Sequence, residues 1–563
     1  MRFNRFIGVI AITLALWNIG RSPLFAQEEI TADQRLPDGV LLYVSVPNVV
    51  AAHEKFKETR ISQLINDPQL EKFRQQLVDK YNDAEKKVQE EVGIPISDIT
   101  ALFSGELTLA VVRPAGQSLG GVLFMDIGNH QDILDKLIAK AEEADEEKKA
   151  EKETEMIDGQ KITTYTISSQ EDASGEPVTV SYFVKDQKLV VASAVTILES
   201  VLDLWDGKSE DSFAGNAVYG EIIDQCTEEN SEPAVQYFVD PVGLLASGLG
   251  MNPDTQLFAG MVYSPAFGLN GFKGMGGVME FATEEFDSIS RAMYYVDGPA
   301  SGILKIFEFR PTISAPPEWV PANAGQFIAF DWNIKGAYEA IESLYDSFTG
   351  PGKFAQVIDG LSKQEGSKLH IKNDVVDVLS GQIQWYLLPG NKPEDLNGTL
   401  AIGVKDAEKG QHLVDTVMEL VGASEKSEFK GVQLSVGPGD GTQGAAAVKD
   451  NFILVARTPE QLKTTLTGPA KAPLVDSRSY DAIAENIPEK VSLLAYQNPA
   501  DQLQAGYEKA RAGEFDSFTE GKLDLSVLPP FDVLRKYFAP SASYFVPDEH
   551  GTLGVQFSLK RKD

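Results

Sequence analysis

The sequence predicts an α+β fold made of two similar lobes from an internal duplication, each a mainly antiparallel sheet with helices packed on one face. Three observations predict it. Matching phrases recur in the same order in both halves, as expected when one architectural unit is used twice. Short apolar runs are joined by short turns, which implies antiparallel pairing. Helical patterns come singly or in pairs between those runs rather than after every one, which favours α+β over a doubly wound α/β fold.

The repeated phrases are specific. Lys185-Asp186-Gln187-Lys188-Leu189-Val190-Val191-Ala192 reads again as Lys449-Asp450-Asn451-Phe452-Ile453-Leu454-Val455-Ala456. Phe103-Ser104-Gly105-Glu106-Leu107 reads again as Leu379-Ser380-Gly381-Gln382-Ile383. Leu36-Pro37 returns as Val320-Pro321, Tyr219 as Tyr480, and Asp240-Pro241 as Asn498-Pro499. They set the expected organisation: a signal over residues 1–26, a first lobe over 36–310, a proline-rich linker over 311–319, and a second lobe over 320–563.

Taken in order, residues 1–26 read as a secretory signal. Arg2 and Arg5 precede an apolar run from Ile7 to Trp17, and Leu24-Phe25-Ala26 offers a cleavage site before Gln27. The run is shorter than the about 20 residues of a spanning helix. Val40–Val46 is a strand, ended by Pro47, and a helix starts near Asn48. Asp67 and Pro68 suit the N-cap and first position of the next helix. Leu70, Phe73, Leu77, Tyr81, Ala84 and Val88 then share one face. Strands follow at Glu106–Val112 and Gly121–Met125, and a helix begins near Gln131. It runs into the charged stretch Glu142–Glu155, which reads as an inserted, solvated helix extension or arm. Strands resume at Lys161–Ile167, Val178–Val184 and Lys188–Ala192, the last two forming a hairpin about Asp186-Gln187. After two helical stretches come strands at Ala234–Val239, Gly277–Ala282 and Arg291–Val296.

Pro311–Pro317 reads as a boundary, since residues before proline are pushed extended. The second half then has strands at Gln326–Phe330, Gln382–Leu388, Thr399–Val404, Val432–Val436, Ala445–Lys449, Phe452–Ala456 and Val491–Tyr496. It closes with strands at Ser541–Val546 and Thr552–Leu559. Helices fall across Tyr338–Tyr345 and Gln411–Leu420.

Composition bounds the function. The chain has 563 residues, 50 Lys+Arg against 83 Asp+Glu, and a net charge of −33. That field repels nucleic acid phosphates and anionic membranes, so no nucleic acid partner is expected. One cysteine, Cys226, rules out an intramolecular disulfide and reads as a small buried apolar residue. No stretch after the signal is apolar for long enough to be a transmembrane segment.

Several motifs fail in context. Gly116-Gln117-Ser118-Leu119-Gly120 fits G-x-S-x-G but lies between two strands, not on the strand-to-helix elbow a hydrolase needs. Gly439-Asp440-Gly441-Thr442-Gln443-Gly444 fits G-x-G-x-x-G but precedes a hairpin arm, not a helix whose N-terminus would meet a pyrophosphate. Gly207-Lys208-Ser209 lacks the first P-loop glycine, since position 202 is Leu202. His53, His130, His370, His412 and His550 make no zinc-like pair. Asp203, Asp206, Glu210 and Asp211 lack the spacing of a calcium loop. Trp319, Trp332 and Trp385 suit core or half-buried places, with an exposed groove for polysaccharide as the other reading. No catalytic, cofactor-binding or metal residue is assigned, and no cofactor is expected.

The stretch from Leu36 to Pro47 resembles the start of a bacterial secreted family known only as a domain of unknown function. So do Thr59–Asp67, Gly268–Lys273, Trp319–Ala322, Leu528–Phe531 and Tyr537-Phe538. The resemblance implies export and a two-part α+β build, and it implies no reaction. The expected role is a non-enzymatic extracytoplasmic binding or scaffold module, periplasmic or extracellular, whose partner is an envelope protein or glycan. The alternative is a hydrolase with carboxylates in the cleft between the lobes.

Overall fold

The computed structural model describes residues 30–92, 95–114, 119–146, 151–171, 177–250, 264–363, 369–390, 397–422, 425–437, 444–515 and 523–560. The expected signal therefore lies outside the described residues. The described chain falls into two compact units. The first runs through position 259 and adds Lys273–Thr283 and Ser290–Met293. The second takes Glu284–Ile289, everything from Tyr294 on, and the described part of 260–272. Pro311–Pro317, expected as a linker, is part of the second unit. Ile313 there is buried and exchanges backbone hydrogen bonds of 3.0 and 2.8 Å with Val491.

The first unit contains strands β1 (Val40–Val46), β2 (Leu107–Val112), β3 (Gly120–Asp126), β4 (Glu151–Ile157), β5 (Gln160–Glu171), β6 (Pro177–Lys185), β7 (Lys188–Ala192), β8 (Val235–Val239) and most of β9 (Phe272–Phe281). Their order across the sheet is β9-β8-β1-β2-β3-β7-β6-β5-β4, and every neighbouring pair is antiparallel. Ser290–Met293 of β10 (Phe286–Val296) also belong here.

The second unit contains β11 (Gln326–Asp331), β12 (Leu379–Leu388), β13 (Asn397–Val404), β14 (Glu425–Phe429), β15 (Val432–Val436), β16 (Ala445–Lys449), β17 (Phe452–Ala456), β18 (Leu493–Gln497), β19 (Ser541–Asp548) and β20 (Gly551–Leu559). Its order is β20-β19-β18-β11-β12-β13-β17-β16-β15-β14, again antiparallel throughout. From β1 to β9 and from β11 to β19, the pairings of the two units correspond one for one. Even the β6–β7 and β16–β17 turns agree. Asp186 and Gln187 have φ of 51° and 63°, and Asp450 and Asn451 have 49° and 59°. Two successive left-handed residues mark the turn whose twist suits a two-residue hairpin.

Helices cover both faces of each sheet, not one. In the first unit, Leu123 and Met125 of β3 and Leu189 and Val191 of β7 pack with Val49, Ile99, Leu134 and Leu137 from helices Val49–Lys57, Ile96–Ala101 and Gln131–Glu146. On the opposite side Phe183 of β6 meets Trp205 edge-on at 5.9 Å. Trp205 ends helix Val195–Trp205, whose Ile197, Leu198, Val201 and Leu202 are buried. The Ile197 side chain of that helix packs directly over Gly120, where a Cβ would come within 2.3 Å of its Cδ1. The second unit repeats the arrangement. Helix Ala407–Leu420 packs Leu413 and Val414 against Ile402 and Ile453. Helix Pro459–Leu466 packs Leu462 and Leu466 against Ala401 and Leu454. Adjacent strand residues thus face different helices. The physical reason lies in the unbroken apolar runs Gly121–Met125, Leu189–Ala192 and Phe452–Ala456, which suit a sheet buried on both sides.

Two helical expectations also change. The charged stretch Glu142–Glu155 is not one helical arm. Its helix ends at Glu146, and from Glu151 the chain forms β4, paired with β5. The second unit has the corresponding strand, β14, so β4 is no insertion. Asp67 caps, as expected, but what it caps is a 3-10 turn over Pro68–Leu70, its Oδ1 accepting the Gln69 N–H at 2.8 Å, and the α-helix Glu71–Val92 follows from that turn. Its expected inward face is only partly covered: Leu70 is buried, whereas Leu77 is exposed.

Candidate functional site

The first unit holds a cavity of about 240 Å³ beside β1. Alternation along β1 puts Tyr43 and Ser45 on the same face, and Gln236 of β8 lies directly across from Ser45. Helix Ala217–Cys226 supplies the second wall. Asn216 caps it, its side chain accepting from the N–H groups of Val218 and Tyr219 at 3.0 and 3.1 Å. Residues four apart on this helix share a face, so Tyr219 and Ile223, and Gly220 and Asp224, present themselves in pairs to the cavity. Glu106, just before β2, forms the floor, and Thr31 with Asp33 close the remaining side.

That last wall is a strap at the start of the described chain. Glu106 is 6% exposed, and its two carboxylate oxygens accept the Ala32 N–H at 2.9 and 3.1 Å. The Thr108 hydroxyl lies 3.1 Å from Oε1 and 2.7 Å from the Ser45 hydroxyl. Behind it, Lys188 Nζ sits 3.9 Å from Glu106 and 3.5 Å from Asp126. Further along the strap, the Arg35 guanidinium lies 3.3 Å from the centre of the Trp205 ring. Leu36 is fully buried and its carbonyl accepts the Phe213 N–H at 2.8 Å.

Electrostatics follow from burial. Desolvation pushes the Glu106 carboxyl above the usual carboxylate range, outweighing the opposing pull of the Ala32 N–H and Lys188. Burial, then the charge of Asp33, raises the Tyr43 phenol. Burial raises Tyr219 most, with Tyr43 and Asp33 adding to it. Both phenols therefore stay neutral. The Tyr219 hydroxyl donates to Asp33 Oδ2 at 3.4 Å, and Thr31 donates to Oδ1 at 2.5 Å. The rings form one cluster with Phe213, which is 4.2 Å from Tyr219 and 5.3 Å from Tyr43. The Asp224 carboxylate and the Gln236 carboxamide have no hydrogen-bond partner among the described residues.

At the corresponding place in the second unit the strand residues are apolar, while Tyr480 keeps the position of Tyr219. Ala329 pairs with Leu494 as Ser45 pairs with Gln236, and Phe327 stands for Tyr43. Phe327, Ala329 and Leu494 are all fully buried in one core cluster. The ionic floor is gone as well. Gly403 pairs with Phe452 as Asp126 pairs with Lys188, and Gln382 stands for Glu106. Three charged residues of the first unit thus have uncharged residues at the matching positions of the second.

The residues that drew attention in the sequence lie elsewhere. Gly116–Ser118 and Gly439–Gln443 fall outside the described residues. Their flanks are paired antiparallel strands, with Val112 opposite Gly120 and Val436 opposite Ala445. Lys208 bridges Asp158 at 2.5 Å, and Lys185 bridges Asp206 at 2.5 Å. His370 Nε2 lies 3.0 Å from Asp359, and His550 stacks on Tyr295. Cys226 is buried and its thiol is pushed up to about 12 by desolvation. Trp319 packs on Tyr386, Trp385 meets Phe330 edge-on, and Trp332 Nε1 donates to the Ile306 carbonyl at 2.7 Å. No group of three His, Cys, Asp or Glu among the described residues is placed to hold a metal ion. The cavity residues were not singled out from the sequence. Their signal was present in the repeated phrases, at the positions where they differ: Glu106 against Gln382, and Lys188 against Phe452.

Chemically, the cavity offers carboxylate and amide acceptors beside aromatic faces. Both oxygens of Glu106 accept the Ala32 N–H, so this carboxyl anchors the strap. Glu106→Gln leaves Lys188 buried with Asp126 as its remaining partner. We expect it to cost about 2–4 kcal/mol, and the double change Glu106→Gln with Lys188→Phe to cost about 1–3 kcal/mol less than the sum of the singles. Urea unfolding of the four proteins measures this. A raised carboxyl favours folding when protonated, so its contribution is full below the ordinary pKa and is lost as pH rises through the raised one. The stability advantage of wild type over Glu106→Gln should therefore shrink as pH rises above the ordinary carboxylate range of about 4. An advantage that grows with pH would contradict the assignment.

Residues 343–519, inside the second unit, match a family described as a protein of unknown function (DUF3352). No curated protein and no solved structure matches the chain. The likeness to an uncharacterised family thus covers part of the second unit, while the cavity belongs to the first.

Proposed function

We propose that this chain is an exported protein, cleaved after Ala26, that works by binding and not by catalysis. The ligand site is the cavity of the first unit. The second unit is its duplicated counterpart, with the same site filled for stability. The partner belongs to the cell envelope or its surroundings.

One observation carries the binding reading. The second unit completes the same place with Phe327, Ala329 and Leu494, all fully buried. The fold therefore has no structural need for Tyr43, Ser45 and Gln236 around an open space. Keeping polar groups in a partly desolvated cavity lowers stability, and departures of that kind gather at functional sites. The shared pairing order and the matching turns support descent from one duplicated unit. The arginine-led apolar run before Ala26 supports export.

Two measurements test this. Intact-mass analysis of the protein recovered from its native source should show a chain starting at Gln27; retention of residues 1–26 would overturn cleavage. For the site, a thermal-shift screen over amines, amino acids, sugars and organic anions should find a class that stabilises wild type. The variant Ser45→Ala/Gln236→Leu, which copies the second unit, should lose the response while keeping its fold. An equal response in both proteins would remove the cavity from consideration.

A further inference from the structure

We infer that the cavity takes a cationic nitrogen head, an ammonium or guanidinium group on a molecule of about side-chain size. This rests on the binding reading above and adds the chemical class of the ligand.

The lining decides the sign of the charge. Asp33, Glu106 and Asp224 all face the cavity, and among the described residues no lysine or arginine does. The lysine behind the floor, Lys188, is committed to Glu106 and Asp126 at 3.9 and 3.5 Å. An anion would enter a space with no compensating positive group on its walls. Ionised carboxylates only accept hydrogen bonds, so the ligand must donate. A neutral polyol would also donate, yet it would leave the charge on the part-buried Asp33 uncompensated as water leaves. An ammonium or guanidinium satisfies both demands, with charge-assisted hydrogen bonds about twice as strong as neutral ones.

The other walls agree. Tyr43 and Tyr219 hold neutral phenol rings at the cavity, 5.6 Å apart, and a cation gains from such faces when desolvated. Gln236 has no partner among the described residues and offers its amide oxygen to a further N–H. A volume of about 240 Å³ equals the liquid share of roughly eight waters, enough for a head group with a short stem and too little for an oligomer. The net charge of −33 draws cations toward the chain as a whole. The second unit supplies an internal comparison: its equivalent place keeps a tyrosine, Tyr480, where Tyr219 stands, and has Gln382, Phe327 and Leu494 in place of Glu106, Tyr43 and Gln236.

Isothermal titration of the full chain with agmatine, which carries both nitrogen groups, tests the inference. We expect a dissociation constant at or below about 1 mM at low salt, weakening several-fold between about 0.02 and 0.3 M NaCl. Asp224 is exposed and without a partner among the described residues, so Asp224→Asn should fold normally and weaken binding roughly three- to tenfold. Asp33→Asn should weaken it further. Gly-Arg-Gly forms a second arm. Tighter binding than agmatine points to a basic peptide side chain as the source, and weaker binding to a free amine; both outcomes support the class. Agmatine binding that neither Asp variant changes would place the cation elsewhere on the acidic surface and overturn the inference. If a sugar or an organic anion stabilises wild type but not Ser45→Ala/Gln236→Leu while agmatine and Gly-Arg-Gly do nothing, the class is wrong and the cavity reading stands. If nothing tested distinguishes those two proteins, both readings fall.

Discussion

A sheet covered by helices on both faces makes every inward side chain answer to desolvation. In each unit, successive residues of the central strands point into different apolar layers, so neither side is a refuge for a polar group. Such a group must find a partner inside the protein or be replaced. The two units take these two courses at the same place. The first keeps Glu106, Lys188 and Asp126 and sets them within reach of one another. The second substitutes Gln382, Phe452 and Gly403. Removing one member of a buried ionic set strands the others, so the set is kept or lost as a whole.

The same constraint gives the cavity its meaning. The strap from Thr31 to Leu36 is fixed by a carboxylate, by an aromatic face under Arg35, and by the burial of Leu36. It closes one side of a space whose other walls are a strand and a helix. Tyr219 and Asp224 are held by a well-capped helix, and Ser45 and Gln236 by strand pairing. Groups placed by regular structure hold their positions better than groups on loops, which suits recognition of a small ligand. The site needs no moving part to be complete.

Much of this was legible in the sequence, and the exceptions have physical causes. β1, β7, β15, β16 and β17 lie where their apolar runs begin and end. The α+β class followed from short turns and the spacing of helices. The single covered face did not hold, because runs such as Gly121–Met125 are apolar at every position and not at alternate ones; that pattern already signalled two apolar layers. β4 and β14 were missed because Glu151–Glu155 and Glu425–Glu428 are exposed and carry no apolar alternation, so pairing and not patterning makes them strands. The cavity was missed because each of its residues is ordinary alone. Tyr43, Ser45, Gln236 and Tyr219 come from distant parts of the chain, and only register brings them together.

The place of β1 has a consequence for how the first unit comes into being. β1 is an interior strand, flanked by β2 and β8, and Leu42 pairs with Val239, 197 positions later. Ribosomes deliver the chain from its N-terminus, so this strand waits with one edge open until nearly the whole unit has been made. Pairings this distant in sequence are slow to form. β11 repeats the situation, since Gln326 pairs with Gln497. Each unit therefore has a long interval in which the open edge of an apolar strand is available to the wrong neighbour, and mispairing at that edge is what the order of synthesis exposes it to.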